Sequence, residues 1–249
     1  MSAPRTVAIG DIHGELQQLN TLLSRLPKLT SDDTLLFLGD YVDRGPSSAQ
    51  VIERLRKELP RSTPARVVCL RGNHEDAWLR IVKKGWPGFV LPAANGCREC
   101  MRSFTGAQGV LTGAAAAEEM EALFSGSFIP EEVLAWMRAL PLWHEDEHAI
   151  YVHAGLPRVD GRWLHPSEVK GTRPLLWARA PEFFREYHGK PVVCGHTGTK
   201  LLPDQSRYTP DDPTDLWARG HVYAVDTGCA RGGFLTALVL PDMLVYESR

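Results

Sequence analysis

The sequence lacks a long hydrophobic run, a strong charge of either sign and a P-loop. Its 249 residues carry 28 basic and 30 acidic side chains, a formal net charge of −2, so no basic surface for nucleic acid or an anionic membrane is expected. The first apolar run, 7–9, is too short for a signal-peptide core or a membrane span. These absences predict a cytoplasmic protein without nucleic-acid or membrane partners.

Cysteine is also scarce. The chain has five cysteines, an odd number scattered over its length, and this predicts free thiols in a reducing compartment. Cys97 and Cys100 have the spacing of half a zinc site, but a structural zinc usually needs four ligands and no second pair exists. We therefore predict no zinc site at these two residues.

Strand and helix patterns alternate regularly over the first eighty residues. Short β-rich runs at Thr6–Ile9, Leu35–Leu38 and Arg66–Leu70 predict strands, and apolar residues at helical spacing predict helices over Glu15–Leu26 and Gln50–Leu59. Strands that are each followed by a helix, about thirty residues apart, indicate a parallel βαβ series. The predicted fold class is α/β.

The middle of the chain, 85–147, breaks this rhythm. Ala114–Phe124 and Glu131–Leu140 predict two helices in an inserted cap on a single domain that spans 1–249. An irregular loop rich in Pro and Asp is expected over 197–220, and we expect the cap and this loop to determine specificity. Further strands are predicted at Ala149–Val152, Pro191–Cys194, Val222–Val225, Phe234–Leu240 and Met243–Tyr246.

Polar side chains stand where five predicted strands end. Because open α/β sheets bind ligands beyond the carboxyl ends of their strands, we expect these groups to meet at one rim. An Asp after a strand is more often a helix cap or turn residue, and we assign Asp226 such a structural role. Five such strand ends together favour a metal site. The residues are Asp11, His13, Asp40, Asp43, Asn73, His74, His153 and His196.

The predicted ligand set indicates two ions. Two Asp, one Asn and three His are too many for one tetrahedral zinc, and mixed oxygen and imidazole ligands suit Mn, Fe or Zn better than Mg. Asp40, on the middle one of the first three strands, is the best candidate to bridge the ions. Two ions about 4 Å apart clamp a phosphoryl group for in-line displacement and acidify a shared water to hydroxide.

Three motifs carry a family resemblance. Gly10-Asp11-Ile12-His13-Gly14, Gly39-Asp40-Tyr41-Val42-Asp43-Arg44-Gly45 and Leu70-Arg71-Gly72-Asn73-His74-Glu75 resemble, in order and spacing, the phosphoprotein phosphatase family of calcineurin-like metallophosphoesterases. The resemblance covers about 7–240 and is to the short bacterial-type serine/threonine phosphatases. It implies a central β-sandwich flanked by helices. The chain departs from the family at Cys97, where a Gly is usual, and this leaves the details of the cap open.

The resemblance also implies roles. Asp11, His13 and Asp40 would hold one metal ion, and Asp40, Asn73, His153 and His196 the other, with two Mn²⁺ the most suitable cofactors. His74 would protonate the leaving alkoxide and Asp43 would orient it. Arg44 and Arg179, with Asn73, would bind the substrate phosphate. The chemistry of phosphate-ester hydrolysis supports these roles. A serine alkoxide is a poor leaving group and needs a proton donor, and guanidinium groups match phosphoryl oxygens in pairs.

Three functions are then open. The first is a serine/threonine protein phosphatase that acts on phosphoproteins or phosphopeptides and on small phosphomonoesters. The second is a symmetrical dinucleoside tetraphosphate hydrolase of the same fold, although those enzymes usually lack a carboxylate at the position of Asp43 and have Asp at that of Glu75. The third, a non-catalytic metal-binding module, is disfavoured because Asp43, Arg44 and His74 would be of no use to it.

Overall fold

The computed structural model describes residues 4–109, 113–203 and 215–249. The strands are β1 Thr6–Ile9, β2 Thr34–Phe37, β3 Arg66–Cys69, β4 Trp143–Glu145, β5 Ile150–Val152, β6 Arg158–Val159, β7 Arg162–Trp163, β8 Val192–Cys194, β9 Trp217–Arg219, β10 Val222–Ala224, β11 Thr236–Leu240 and β12 Leu244–Glu247. The helices are α1 Leu16–Arg25, α2 Ser48–Glu53, α3 Leu59–Ser62, α4 Asn73–Lys84, α5 Pro87–Val90, α6 Cys97–Thr105, α7 Gly113–Ser125, α8 Glu131–Ala139, α9 Arg173–Leu176 and α10 Pro181–Glu186.

The strands form two five-stranded sheets and a small hairpin. The first sheet has the order β12-β11-β1-β2-β3, in which β1, β2 and β3 are parallel as predicted. Leu35 on β2 pairs with Val7 and Val67 on its two neighbours. The second sheet has the order β4-β5-β8-β10-β9, with a parallel centre and antiparallel edges. The parallel strands of both sheets are joined through crossover connections, as such strands require.

The two sheets pack face to face, and helices cover their outer faces. Ala8 and Leu36 of the first sheet share one buried cluster with Tyr151 and Val193 of the second. The alternate residues, such as Leu35, point away toward the helices, because side chains alternate between the faces of a strand. The prediction of an α/β fold with a β-sandwich flanked by helices is therefore confirmed.

The insertion between β3 and β4 contains the two predicted helices, α7 and α8, each within one residue of the expected bounds. Both contact α4, which buries Ala77, Trp78 and Ile81 at helical spacing. Two further helices, α5 and α6, lie in the same insertion, and α6 packs against α2. The insertion is thus built on helices that the first βαβ series supplies.

The structure departs from the sequence prediction in several places. The five strand ends belong to two sheets rather than to the rim of one, because β5 and β8 lie in the second sheet. The helix expected over Gln50–Leu59 begins at Ser48 and passes through a π-helical segment, Arg54–Glu58, before α3. Of the loop expected over 197–220, residues 204–214 lie outside the described residues.

All five cysteines are free thiols, and Cys97 and Cys100 are buried on α6. Among residues 4–109, 113–203 and 215–249, no helix is both long enough and apolar enough to cross a membrane.

Candidate active site

The polar residues at the ends of β1, β2, β5 and β8, together with the start of α4, form one buried cluster. The carboxylate of Asp40, after β2, lies at its centre. One of its oxygens, Oδ2, is 3.4 Å from His13 Nε2, and the other, Oδ1, is 3.4 Å from His153 Nε2. Asp11 Oδ2 lies 3.9 Å from His13 Nε2. Asp40 is therefore placed as a carboxylate shared between two groups of imidazoles.

The second group of ligands surrounds the side chain of Asn73. Its Oδ1 lies 2.9 Å from His153 Nε2 and 2.7 Å from His196 Nδ1. Within the described part of the chain, two sets of residues have the spacing that could hold a metal ion: His13, Asp40 and His74, and Asp40, His153 and His196. The two sets share Asp40.

The hydrogen bonds of the imidazoles fit a metal ion. His13 Nδ1 lies 2.9 Å from the carbonyl of Val42, and His153 Nδ1 lies 3.0 Å from that of Leu38, so each ring is oriented by a backbone acceptor. The opposite nitrogen of His13, Nε2, is buried without a hydrogen-bond partner, and so is Nε2 of His196. Buried polar atoms are normally paired, so these donor atoms fit divalent cations.

The pKa shifts of the residues in this cluster also suit the binding of cations. Burial, together with the charges of Asp226 and Asp40, raises the pKa of Asp11 well above its usual range. For Asp40, burial opposes ionisation but the surrounding imidazoles, His153 first, lower the pKa. Burial lowers the pKa values of His13, His153 and His196, which favours the neutral imidazole that a metal needs as a ligand.

The backbone of the cluster is held in an uncommon conformation. Seven non-glycine residues of the described chain have positive φ, and five of them belong to the predicted site. Left-handed conformations of this kind occur at functional sites, where the surrounding structure has to enforce them. The five are His13, Asp40, Asp43, Arg44 and His196, with φ values of 47°, 53°, 71°, 67° and 67°.

Glu75, at the start of α4, fixes the turn that carries Asp40. Its Oε2 accepts hydrogen bonds from the backbone N–H groups of Asp40 and Gly72, both at 2.9 Å, and its Oε1 accepts one from Tyr41 at 2.8 Å. Asp40 Oδ1 in turn accepts a hydrogen bond from the backbone of His74 at 2.9 Å. A buried carboxylate with three amide donors holds the strand end in place.

His74 lies beside the predicted metal ligands and is paired with Asp43. Its Nδ1 is 2.6 Å from Asp43 Oδ2, and the other oxygen of Asp43 accepts a hydrogen bond of 2.9 Å from Trp78 Nε1. Its Nε2 is 3.3 Å from Arg44 Nη2 and 3.9 Å from Asp40 Oδ2. The imidazole is therefore oriented by a carboxylate on one side and faces the Asp40 cluster on the other.

An open cavity of about 440 Å³ adjoins the cluster. Arg44, Arg179 and His196 line it, as do the backbone and side chains that follow β10. Asp226, at the end of that strand, accepts a hydrogen bond from the backbone of Gly228 at 3.1 Å, and its carbonyl accepts one from Thr199. The cavity is open to solvent, and it reaches the buried polar cluster at His196.

The comparisons with known proteins decide the family. The sequence profile of the calcineurin-like phosphoesterases matches residues 4–223. The chain is a calcineurin-like phosphoesterase. Proteins of this family use a dinuclear divalent metal centre, and the two sets of residues around Asp40 could hold one.

Relatives of this phosphoesterase match it over nearly its whole length. A symmetrical bis(5'-nucleosyl)-tetraphosphatase of Methylococcus capsulatus is 30% identical over 95% of this chain and 92% of its own. One of Nitrosospira multiformis is 26% identical over 97% of this chain and 94% of its own. The crystal structure of a candidate diadenosine tetraphosphatase superposes with a TM-score of 0.61 at 24% identity, over 98% of this chain and 93% of that one.

The structure of the phosphoesterase brings the residues predicted from the motifs together. The predicted ligands lie in the cluster around Asp40, His74 adjoins Asp43, and Arg44 and Arg179 line one cavity. Sequence reasoning did not single out Trp78, which donates a hydrogen bond to Asp43, or Arg231, which lines the cavity. The apolar spacing of α4 could have placed Trp78 on the buried face with His74, whereas Arg231 follows a glycine-rich turn that gives no periodic signal.

Proposed function

We propose that this phosphoesterase hydrolyses dinucleoside polyphosphates and cleaves a dinucleoside tetraphosphate symmetrically into two nucleoside diphosphates. The whole-length relatives are named for that reaction. The observation that carries the proposal is the charge of the cavity, which is lined by Arg44, Arg179, Lys200, Arg231 and Arg249. Arg249 is paired with Glu247 and Asp215, but the other four cationic side chains are still more than one phosphate group needs, and they suit a chain of phosphates.

The ligand roles are part of the same proposal. Asp11, His13 and Asp40 hold one divalent ion, and Asp40, Asn73, His153 and His196 hold the second. When bound, the two ions polarise a phosphoryl oxygen and lower the pKa of water at the site. The chain itself holds the neutral imidazoles in place through the carbonyls of Val42 and Leu38, among other contacts, so little reorganisation is needed when the ions bind.

The remaining residues act on the substrate. Arg44 and Arg179, with Asn73, bind the oxygens of the phosphate that is attacked, because guanidinium groups match phosphoryl oxygens in pairs. His74 donates a proton or a hydrogen bond to the leaving oxygen from Nε2. Asp43 Oδ2 lies 2.6 Å from Nδ1 and so orients the imidazole for this role.

One observation favours a second substrate class, phosphoserine and phosphothreonine in proteins. The Asp43–His74 pair is buried, and Trp78 also binds Asp43, so the chain maintains a well-oriented proton donor. An alkoxide leaving group needs that proton more than a nucleoside diphosphate does, because its oxygen is far more basic. This pair is the reason to test phosphopeptides alongside the dinucleotide.

The test compares kcat/KM for diadenosine tetraphosphate, a phosphoserine peptide and p-nitrophenyl phosphate at one fixed free Mn²⁺ concentration. We expect at least about tenfold preference for the dinucleotide, which corresponds to about 1.4 kcal/mol, with ADP as the sole nucleotide product. A preference for the peptide by the same margin, or release of ATP and AMP, would overturn the proposal. The Asp40→Asn variant, purified in parallel, controls for contaminating hydrolases.

A further inference from the structure

Two arginines that line the cavity beside the Asp40 cluster, Arg231 and Arg249, have no specific role in the function proposed above. Arg231 lies in a 3₁₀ turn, Cys229–Arg231, between Gly228 and Gly232, both of which have φ of 79°. It lines the same cavity as Arg44 and Arg179. Arg231 is exposed to solvent on the wall of this cavity.

The loop that carries Arg231 is held closed by short hydrogen bonds. Thr227 Oγ1 donates to the carbonyl of Phe234 at 2.6 Å, and the backbone N–H of Gly233 donates to the carbonyl of Gly228 at 2.9 Å. At Gly233 a Cβ atom would lie 2.0 Å from the carbonyl oxygen of Thr227, so only glycine fits this closure. The turn therefore presents Arg231 from a fixed base.

The charge of Arg231 is not neutralised by the protein. Within the described ranges, its guanidinium makes no ion pair with a carboxylate and no side-chain hydrogen bond, and the same holds for Arg179 and Lys200. Arg249, on the same cavity, differs because it pairs with Glu247 at 2.7 Å and Asp215 at 3.1 Å. Uncompensated cations that share a cavity repel one another, and a multivalent anion relieves that repulsion.

The lowered pKa of Arg231 is consistent with a position near Arg44 and Arg179 in the cavity. Partial burial and the nearby charge of Arg44 lower the pKa of Arg231, and Arg179 acts in the same direction. The three guanidinium groups therefore lie close enough to interact, although an arginine stays protonated at neutral pH. Asp226 opposes the shift but forms no ion pair with any of the three.

We infer that Arg231 binds the phosphates beyond the one that is attacked, and so determines the preference for an oligophosphate over a single phosphate. This assignment rests on the proposed function, in which Arg44 and Arg179 bind the reacting group. On this assignment a phosphate chain that runs from the Asp40 cluster along the cavity reaches Arg231, whereas orthophosphate and the phosphate of a small monoester do not.

The test uses inhibition rather than turnover of the dinucleotide. Inhibition constants of inorganic tripolyphosphate and of orthophosphate are measured against p-nitrophenyl phosphate hydrolysis by the metal-loaded enzyme, with free Mn²⁺ held constant. We expect Arg231→Gln to raise the constant for tripolyphosphate about 10- to 100-fold, as for the loss of charge-assisted hydrogen bonds. The constant for orthophosphate should change less than about threefold on the same reasoning, because it does not reach Arg231.

Two further variants sharpen the test. Arg231→Lys keeps the charge but loses the planar fork, so it should give an intermediate constant for tripolyphosphate. Arg61→Gln removes the same charge from α3, which precedes the amino end of β3, opposite the site, and should change neither constant. Equal changes for both anions in Arg231→Gln, or none for tripolyphosphate, would overturn the inference.

These outcomes are separable from the proposed function. If the wild type prefers a phosphopeptide to diadenosine tetraphosphate but Arg231→Gln still weakens tripolyphosphate selectively, the proposed substrate is wrong and the anion site remains. If the dinucleotide is preferred and tripolyphosphate binding is unaffected by Arg231→Gln, the substrate stands and the assignment of Arg231 fails.

Discussion

The Oδ2 atom of Asp43 lies 2.6 Å from Nδ1 of His74, and both side chains are buried. The pair joins the turn after β2 to the first turn of α4, so two elements that are separate in sequence position one imidazole. Its other nitrogen faces the carboxylate of Asp40, 3.9 Å away. Asp43 orients His74 and takes no part in either set of possible metal ligands, whereas His74 itself lies in one of them with His13 and Asp40. In the proposed assignment Asp11 rather than His74 completes that ion site, so His74 is left to donate a proton.

Replacing His74 with Asn should therefore reduce turnover without loss of metal. We expect kcat to fall by roughly 10²–10⁴-fold with phenyl phosphate, whose leaving oxygen is basic, and distinctly less with p-nitrophenyl phosphate. Metal content per chain should stay at the wild-type value. Equal losses with both substrates, or an unchanged kcat, would remove His74 as the proton donor.

Gly195, between β8 and His196, should not tolerate a side chain. A Cβ atom there would lie 2.1 Å from Asp11 Oδ1, and both oxygens of Asp11 accept a hydrogen bond from the backbone of His196 at 3.1 Å. Gly195→Ala should displace Asp11 and lower both metal content and activity, the latter by more than about tenfold.

Gly88→Ala is the matched control, because the nearest atom to its new Cβ is 3.6 Å away, an ordinary contact. Metal analysis and circular dichroism of both variants check the prediction. Full metal content in a folded Gly195→Ala protein would contradict the close approach of Gly195 to Asp11.

Asp33 should make stability depend on acid pH. Burial raises its pKa, but hydrogen bonds from Arg5 and Thr30 outweigh this and lower the pKa from 3.8 to about 2. Because the folded-state pKa is the lower one, the contribution is complete above about pH 4 and is lost as the pH falls toward 2. Asp33→Asn should reduce the free energy of unfolding by about 1–3 kcal/mol at pH 6.

Urea unfolding at pH 6 and pH 3 measures this effect. The deficit of Asp33→Asn should shrink at the lower pH, where the wild type begins to lose the same interaction. The neighbouring Asp32, which is exposed, provides the control Asp32→Asn with no comparable loss. A deficit that is equal at both pH values would contradict the role of the Asp33 charge.

The parallel βαβ series could be predicted because its strands are apolar and its helices have regular leucine spacing, as in α1. Edge strands such as β4 and β9 could not be predicted, because three residues are too few to show the alternation of apolar and polar residues that marks a strand. The sequence pattern also gave no sign that β5 and β8 belong to a second sheet, since that depends on how separate segments pair. The family resemblance supplied the β-sandwich.

The convergence of the polar side chains could likewise be expected from strand ends and motifs. The positive φ angles of Asp40 and His196 could not be expected from the sequence, because tertiary contacts such as the hydrogen bonds of Glu75 enforce such conformations. The substrate was harder still. Asp43 and Glu75 favoured a protein phosphatase, whereas the proposal of a dinucleoside polyphosphate substrate rests on what the relatives are named for and on the cations of the cavity.

The most direct test of the account is the metal content of the wild type and of Asp40→Asn, measured by inductively coupled plasma mass spectrometry after loading with Mn²⁺ and dialysis. The carboxylate of Asp40 lies 3.4 Å from an imidazole nitrogen on each side, so both ion sites depend on it. We predict two ions per wild-type chain and at most one in the variant. A wild type without bound metal, or a variant that keeps both ions, would contradict the assignment of Asp40 as the ligand shared by two ions.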